Sequence, residues 1–154
     1  MSDVHSKKVR SYNMSKIRAK NTKPELLVRK FLFKNRFRYR LHVKGLPGKP
    51  DIVFTRRRIA IFIHGCFWHG HENCKYFRIP KTREQWWTEK ISRNRLNDQS
   101  AEFQLERLCY KIIIIWECEL KPKNIFFTLQ NLKNQLIEQT NEISKVSCHK
   151  SSKA

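Results

Sequence analysis

The sequence predicts an α/β/α architecture, with helices on both sides of a central mixed sheet. Three observations carry that prediction. The candidate elements run helix, three strands, long helix, strand, helix. One strand, Ile59-Ala60-Ile61-Phe62-Ile63, is apolar throughout, as a strand covered on both faces is. The length, 154 residues, suits a single domain with a real core.

Taken in order, residues 1–20 are polar and basic and read as an arm that orders on a partner. Thr22-Lys23-Pro24-Glu25 is a capping box with proline in the first turn, and Leu26, Leu27 and Phe31 carry the helix to about Asn35. Phe37, Tyr39, Leu41 and Val43 alternate with polar residues, the pattern of a half-buried strand. A turn at Gly45–Pro50 leads to a second strand, Asp51–Phe54, and Thr55–Arg58 connects it to the apolar third. Arg83 to about Leu108 reads as a long polar helix with Trp87, Ile91, Leu96, Phe103, Leu105 and Leu108 on one stripe. Lys111–Trp116 is a fourth strand and Asn124–Glu138 a last helix. The folded domain is therefore placed at 21–140, with a disordered basic tail at 141–154.

Thirty-three Lys+Arg against 13 Asp+Glu leave a net charge of +20, which points to a polyanionic partner. The basic residues are spread along the chain instead of gathered on one amphipathic helix, so nucleic acid is favoured over a membrane surface. Five cysteines, two of them in a histidine-rich stretch, argue for reduced thiols and metal over a disulfide framework. The N-terminus has no signal-peptide core and the longest apolar run, Ile112–Trp116, is too short to span a bilayer, so a cytoplasmic location is expected.

The chemistry concentrates in His64-Gly65-Cys66-Phe67-Trp68-His69-Gly70-His71-Glu72-Asn73-Cys74. Cys66, His71 and Cys74 have the spacing of zinc ligands on one loop. Cys118 is the natural fourth, because it follows the strand Lys111–Trp116 as Cys66 follows Ile59–Ile63; parallel neighbours would bring the two together. Cys109 lies at the other end of that strand and is expected to be a buried core thiol, while Cys148 and His149 are incidental. His64 and His69 are left free for proton transfer. Asp51, behind Pro50 at a strand start, is a candidate Mg²⁺ ligand, and Glu25 a second acidic candidate that the capping box also claims. Phe67, Trp68, Trp86 and Trp87 are candidate stacking or wedging groups for DNA.

His-Gly-Cys-Phe-Trp-His at 64–69, Leu-Pro-Gly-Lys-Pro-Asp at 46–51 and Trp-Glu-Cys at 116–118 resemble the very short patch repair (Vsr) endonucleases. The likeness extends to Arg10–Met14 and Thr82–Glu84, and covers about residues 3–138. The resemblance implies a restriction-endonuclease-like fold, a structural zinc, and Mg²⁺-dependent nicking of one strand at a T:G mismatch left by deamination of 5-methylcytosine. It implies that Asp51 and the backbone carbonyl of Ile63 hold Mg²⁺, that His69 is the general base supported by Glu25, and that His64 assists. It further implies that Phe67, Trp68 and Trp87 wedge into the DNA from one groove and Met14 from the other; Lys90 and Asn94 on the long helix are further candidates for discrimination. The strand Ile59–Ile63 lacks the acidic residue and lysine usual in this fold, which fits the Vsr variant better than a generic restriction enzyme. The partners expected are duplex DNA with a T:G mismatch and mismatch-repair proteins, with the chain a monomer associated with the nucleoid. Two other readings compete: a restriction-type endonuclease cutting intact duplex, and a zinc-stabilised DNA-binding module without catalysis.

Overall fold

The computed structural model describes residues 6, 8, 9, 11, 12 and 20–142. The rest of the arm with Met14, and the tail from residue 143 with Cys148 and His149, lie outside the described residues. Among the described residues the order is α1 (Lys23–Lys34), β1 (Ile52–Phe54), β2 (Ile59–His64), α2 (Glu84–Arg107), β3 (Lys111–Trp116), a 3₁₀ turn (Glu117–Leu120) and α3 (Ile125–Glu142). This is the expected mixed α/β arrangement, with three strands in the sheet instead of four.

The sheet order is β1-β2-β3. β1 and β2 form an antiparallel hairpin with Ile52 opposite Ile61, while β2 and β3 are parallel with Ile59 opposite Lys111 and His64 opposite Trp116. α2 makes the crossover that a parallel pair requires. Strand periodicity then divides the core. Ile59 and Ile61 of β2, with Ile113 and Ile115 of β3, pack with Val28 and Leu32 of α1 and Leu132 and Leu136 of α3. Ala60 and Phe62 turn the other way onto Leu105 of α2, beside Ile112 and Ile114. The uniformly apolar β2 is thus covered on both faces, for the reason its composition suggested.

The strand expected at Phe37–Val43 is reduced to one bridge, Arg40 with Val53. Its alternation is real for Phe37 and Tyr39, whose rings meet Phe54 edge-on. Arg36 and His42 take positive φ, however, and Leu41 is exposed, so the extended run ends before a ladder can form. The stripe expected on α2 is also narrower: Ile91, Ala101 and Leu105 are buried, whereas Leu96, Phe103 and Leu108 face outward. Cys109 is exposed in the turn after α2, at positive φ, and is disulfide-bonded, which corrects both the buried-thiol reading and the expectation of five reduced cysteines.

Candidate active site and metal cluster

The carboxyl ends of β2 and β3 deliver the site. His64 closes β2, Trp116 closes β3, and the two are register partners. Beyond them the chain turns at Cys66 on one side and at Cys118, in the 3₁₀ turn, on the other. The parallel pairing required for Cys118 to join the loop cysteines is therefore present, and Cys66, His71, Cys74 and Cys118 bring one ligand atom each to within 4.8 Å of one another. His71 Nδ1 lies 3.5 Å from Cys118 Sγ. Three sulfurs and one imidazole at that spacing suit a tetrahedral soft-metal site, and this donor set fits Zn²⁺. Burial pushes the Cys66 thiol up to about 12, and the neighbouring Cys118 and Cys74 thiols add to the rise.

Asp51 stands immediately before β1. Its backbone N–H donates to the Ile61 carbonyl (3.0 Å), which extends the hairpin by one residue, and its Oδ2 accepts from the Ile63 N–H at 2.8 Å. The turn that brings it there depends on Gly48, at φ +69°, where an added Cβ would sit 2.6 Å from Ala101 Cβ of α2. Burial raises the Asp51 pKa, helped by the neighbouring Glu25, while the Ile63 N–H, Arg29 and His69 act against it. One half-buried carboxylate beside a strand peptide at residue 63 suits Mg²⁺, which uses few protein oxygens and keeps places for water and phosphate.

Glu25 is 3 % exposed and fully engaged. Oε1 accepts from Thr22 Oγ1 (3.0 Å), and Oε2 from the Asn21 N–H (2.9 Å) and Arg29 Nη2 (2.8 Å). Its side chain thus serves the cap of α1 and a buried ion pair. The carboxylate that faces His69 belongs to Asp98 of α2, whose Oδ2 is 2.6 Å from His69 Nδ1. A carboxylate can only accept here, so Nδ1 carries the hydrogen and Nε2 is left with its lone pair.

His64 is 6 % exposed and stacks flat on His69, ring centroids 3.8 Å apart and planes 3° from parallel. Burial and the neighbouring His69 lower its pKa to about 4, against the pull of Asp98, so His64 is neutral at neutral pH. The rings continue: His64 meets Trp116 edge-on at 5.3 Å, and Trp116 stacks on His71 at 4.0 Å. A line of four rings joins the candidate base to the cysteine–histidine cluster.

Sequence reasoning did not single out Asp98. The signal was the spacing Ile91, Asn94, Arg95, Asp98, one helix face whose buried member is Ile91. That face holds three consecutive loop residues. Asn94 Nδ2 donates to the Trp68 carbonyl (2.8 Å), Asp98 accepts from His69, and Arg95 donates to the Gly70 carbonyl and to Glu72 Oε1 (2.8 Å). Asn94, considered for reading DNA, is here a tie to the loop. Phe67, Trp68 and Trp87 are partly buried against one another, with Phe67–Trp87 centroids 5.1 Å apart; Trp86 stays 45 % exposed and meets Trp87 at 4.7 Å. Lys90 is half-buried on the same helix.

Comparison with known proteins points one way. The family model described as "DNA mismatch endonuclease Vsr" matches residues 2–75. A type II nicking enzyme of Neisseria meningitidis serogroup A is 50 % identical over 125 residues, 81 % of this chain and 89 % of that protein. A type II nicking enzyme of Xanthomonas oryzae is 47 % identical over 120 residues, 78 % of this chain and 88 % of its own length. The DNA mismatch endonuclease Vsr of Escherichia coli is 40 % identical over 123 residues, 80 % of this chain and 78 % of the relative.

Proposed function

Since the chain belongs to the Vsr family of DNA endonucleases, we propose that it nicks one strand of duplex DNA at T:G mismatches arising from deamination of 5-methylcytosine. On this reading it starts very short patch repair, on a restriction-endonuclease-like fold with a structural zinc at Cys66, His71, Cys74 and Cys118. The single observation that carries the chemistry is the convergence, at one end of the hairpin and β3, of an acidic turn at Asp51 with the pair His69–Asp98.

Mg²⁺ held by Asp51 and the Ile63 carbonyl would offset phosphate charge and make a water easier to ionise. The remaining steps are performed by the chain's own groups. His69 Nε2 accepts the proton of the attacking water as its oxygen bonds to phosphorus, while the bond from phosphorus to the leaving sugar oxygen breaks and that oxygen takes a proton from solvent water. Asp98 holds Nδ1–H, so the ring keeps the basic tautomer and gains a counter-charge as it becomes imidazolium. Neutral His64, flat against His69, fixes the ring plane without adding repulsion. Glu25, through Asn21, Thr22 and Arg29, anchors the start of α1 beside the acidic site. Phe67 and Trp68, rooted beside Cys66, can enter the stack next to a mismatch, where unstacking costs less than the usual few kcal/mol.

Labelled duplexes with one T:G or one T:A pair, incubated with Mg²⁺ at fixed salt, test the reading. Nicking of the T:G duplex alone is expected, abolished by Asp51→Ala with binding preserved. Equal cutting of both duplexes would indicate a restriction-type activity, and binding without cutting a non-catalytic module.

A further inference from the structure

A cleft of about 280 Å³ opens on the far side of the cysteine–histidine cluster, bordered by His71, Cys74, Lys75, Tyr76, Cys118, Lys121 and Lys123. We propose that this cleft is a second DNA contact, a subsite for a backbone phosphate away from the nicked position. The proposal rests on the substrate being duplex DNA.

Three ammonium groups are gathered here although they repel one another. The ammonium nitrogens of Lys75 and Lys121 lie 5.0 and 5.4 Å from the centroid of the same ring, Tyr76, itself 47 % exposed. Lys121 has a carboxylate at 3.3 Å, Glu117, whereas neither Lys75 nor Lys123 has an acidic partner among the described residues. Cations without a carboxylate partner beside the cleft favour an anion, and an exposed aromatic among them gives a sugar or base a face to lie on. The position fits the substrate as well. The cleft includes His71, the last ring of the line that starts at His69, so a strand passing His69 reaches the lysines within a few nucleotides. Contacts of this kind would hold register on the duplex and carry no sequence information.

Binding of Lys75→Gln/Lys123→Gln to T:G and T:A duplexes across a salt series tests the assignment, with zinc content measured on the same samples. Both lysines are exposed and, among the described residues, free of acidic partners, so the fold should tolerate their replacement. The slope of log K against log salt should become shallower by about 2, one per lost phosphate contact. Affinity should fall alike on both duplexes, with zinc retained, and Lys75→Arg/Lys123→Arg should restore the slope. An unchanged slope overturns the proposal. So does loss of zinc at unchanged slope, which would mean that the lysines offset the charge of a three-thiolate cluster. Failure of T:G specificity would appear already in the unaltered protein and leaves the slope comparison readable.

Discussion

His64 is a buried group whose charging the fold opposes. Its pKa falls from 6.5 unfolded to about 4 folded. The unfolded chain therefore takes up a proton first as pH drops, and the stability due to neutral His64 is present above about 6.5 and lost between there and about 4. The loss amounts to roughly 3 kcal/mol at about 1.4 kcal/mol per unit. His64→Gln should flatten urea-unfolding stability against pH in that window relative to the parent protein; identical profiles would remove His64 as the cause. Asp98→Asn leaves a hydrogen-bond partner but no counter-charge for His69. It should lower the single-turnover nicking rate by about 10²-fold or more, the scale of positioned acid–base catalysis, with DNA affinity unchanged. At this scale the cysteine–histidine cluster was legible, because Cys66, His71 and Cys74 share one loop and Cys118 occupies the matching place behind a second apolar strand. Asp98 was not: a carboxylate on a polar helix looks like any solvated residue until the loop is laid across it.

Among the elements, the pairing of α2 with the loop after β2 matters most. Asn94, Asp98 and Arg95 grip residues 68, 69 and 70 in succession, so Trp68, the candidate base His69 and the turn at Gly70 that leads to His71 are held against one helix face. Gly70 makes the close approach possible. It sits at φ +62°, and an added Cβ would stand 2.6 Å from Ile91 Cγ2 and 2.5 Å from Arg95 Nε. Gly70→Ala should cost about 1–3 kcal/mol in denaturant unfolding and slow nicking further by displacing His69; an alanine variant of parent stability and rate would show that the loop is not held by α2. The helices and apolar strands were readable because their periodicity answers to burial. The segment 37–43 carried the same alternation, but two residues at positive φ cut it to a single bridge. The apolar stripe of α2 misled for a related reason: of its stripe residues only Ile91 and Leu105 are buried, Leu105 alone in the core cluster with the strands, and the middle of the helix uses polar residues to hold a loop.

For the molecule as a whole, the α/β/α order followed from the alternation of elements and from a β2 apolar on both faces, which the two core clusters account for. The cysteine–histidine cluster joins the ends of β2 and β3, and a zinc held there should stabilise the whole fold. Metal analysis should return about one zinc per chain. Cys118→Ser should lose the zinc and unfold at much lower temperature, while Cys109→Ser, on an exposed turn outside the cluster, keeps it. Zinc loss from the Cys109 variant alone would misplace the fourth ligand. The parallel ladder that underlies this cluster also governs how the chain reaches its fold. It joins residues about 50 positions apart, so its closure entropy must be met before many contacts reward it, and it is the slow event of assembly. Cys66, His71 and Cys74 are close neighbours and can capture an ion while the chain is still open. When Cys118 then joins them, one bond closes the long loop at the end where β2 and β3 must align in register. If the cluster holds zinc, refolding should run faster with zinc present from the start than when it is added to the collapsed chain, the ion then guiding strand alignment as well as bracing the finished site.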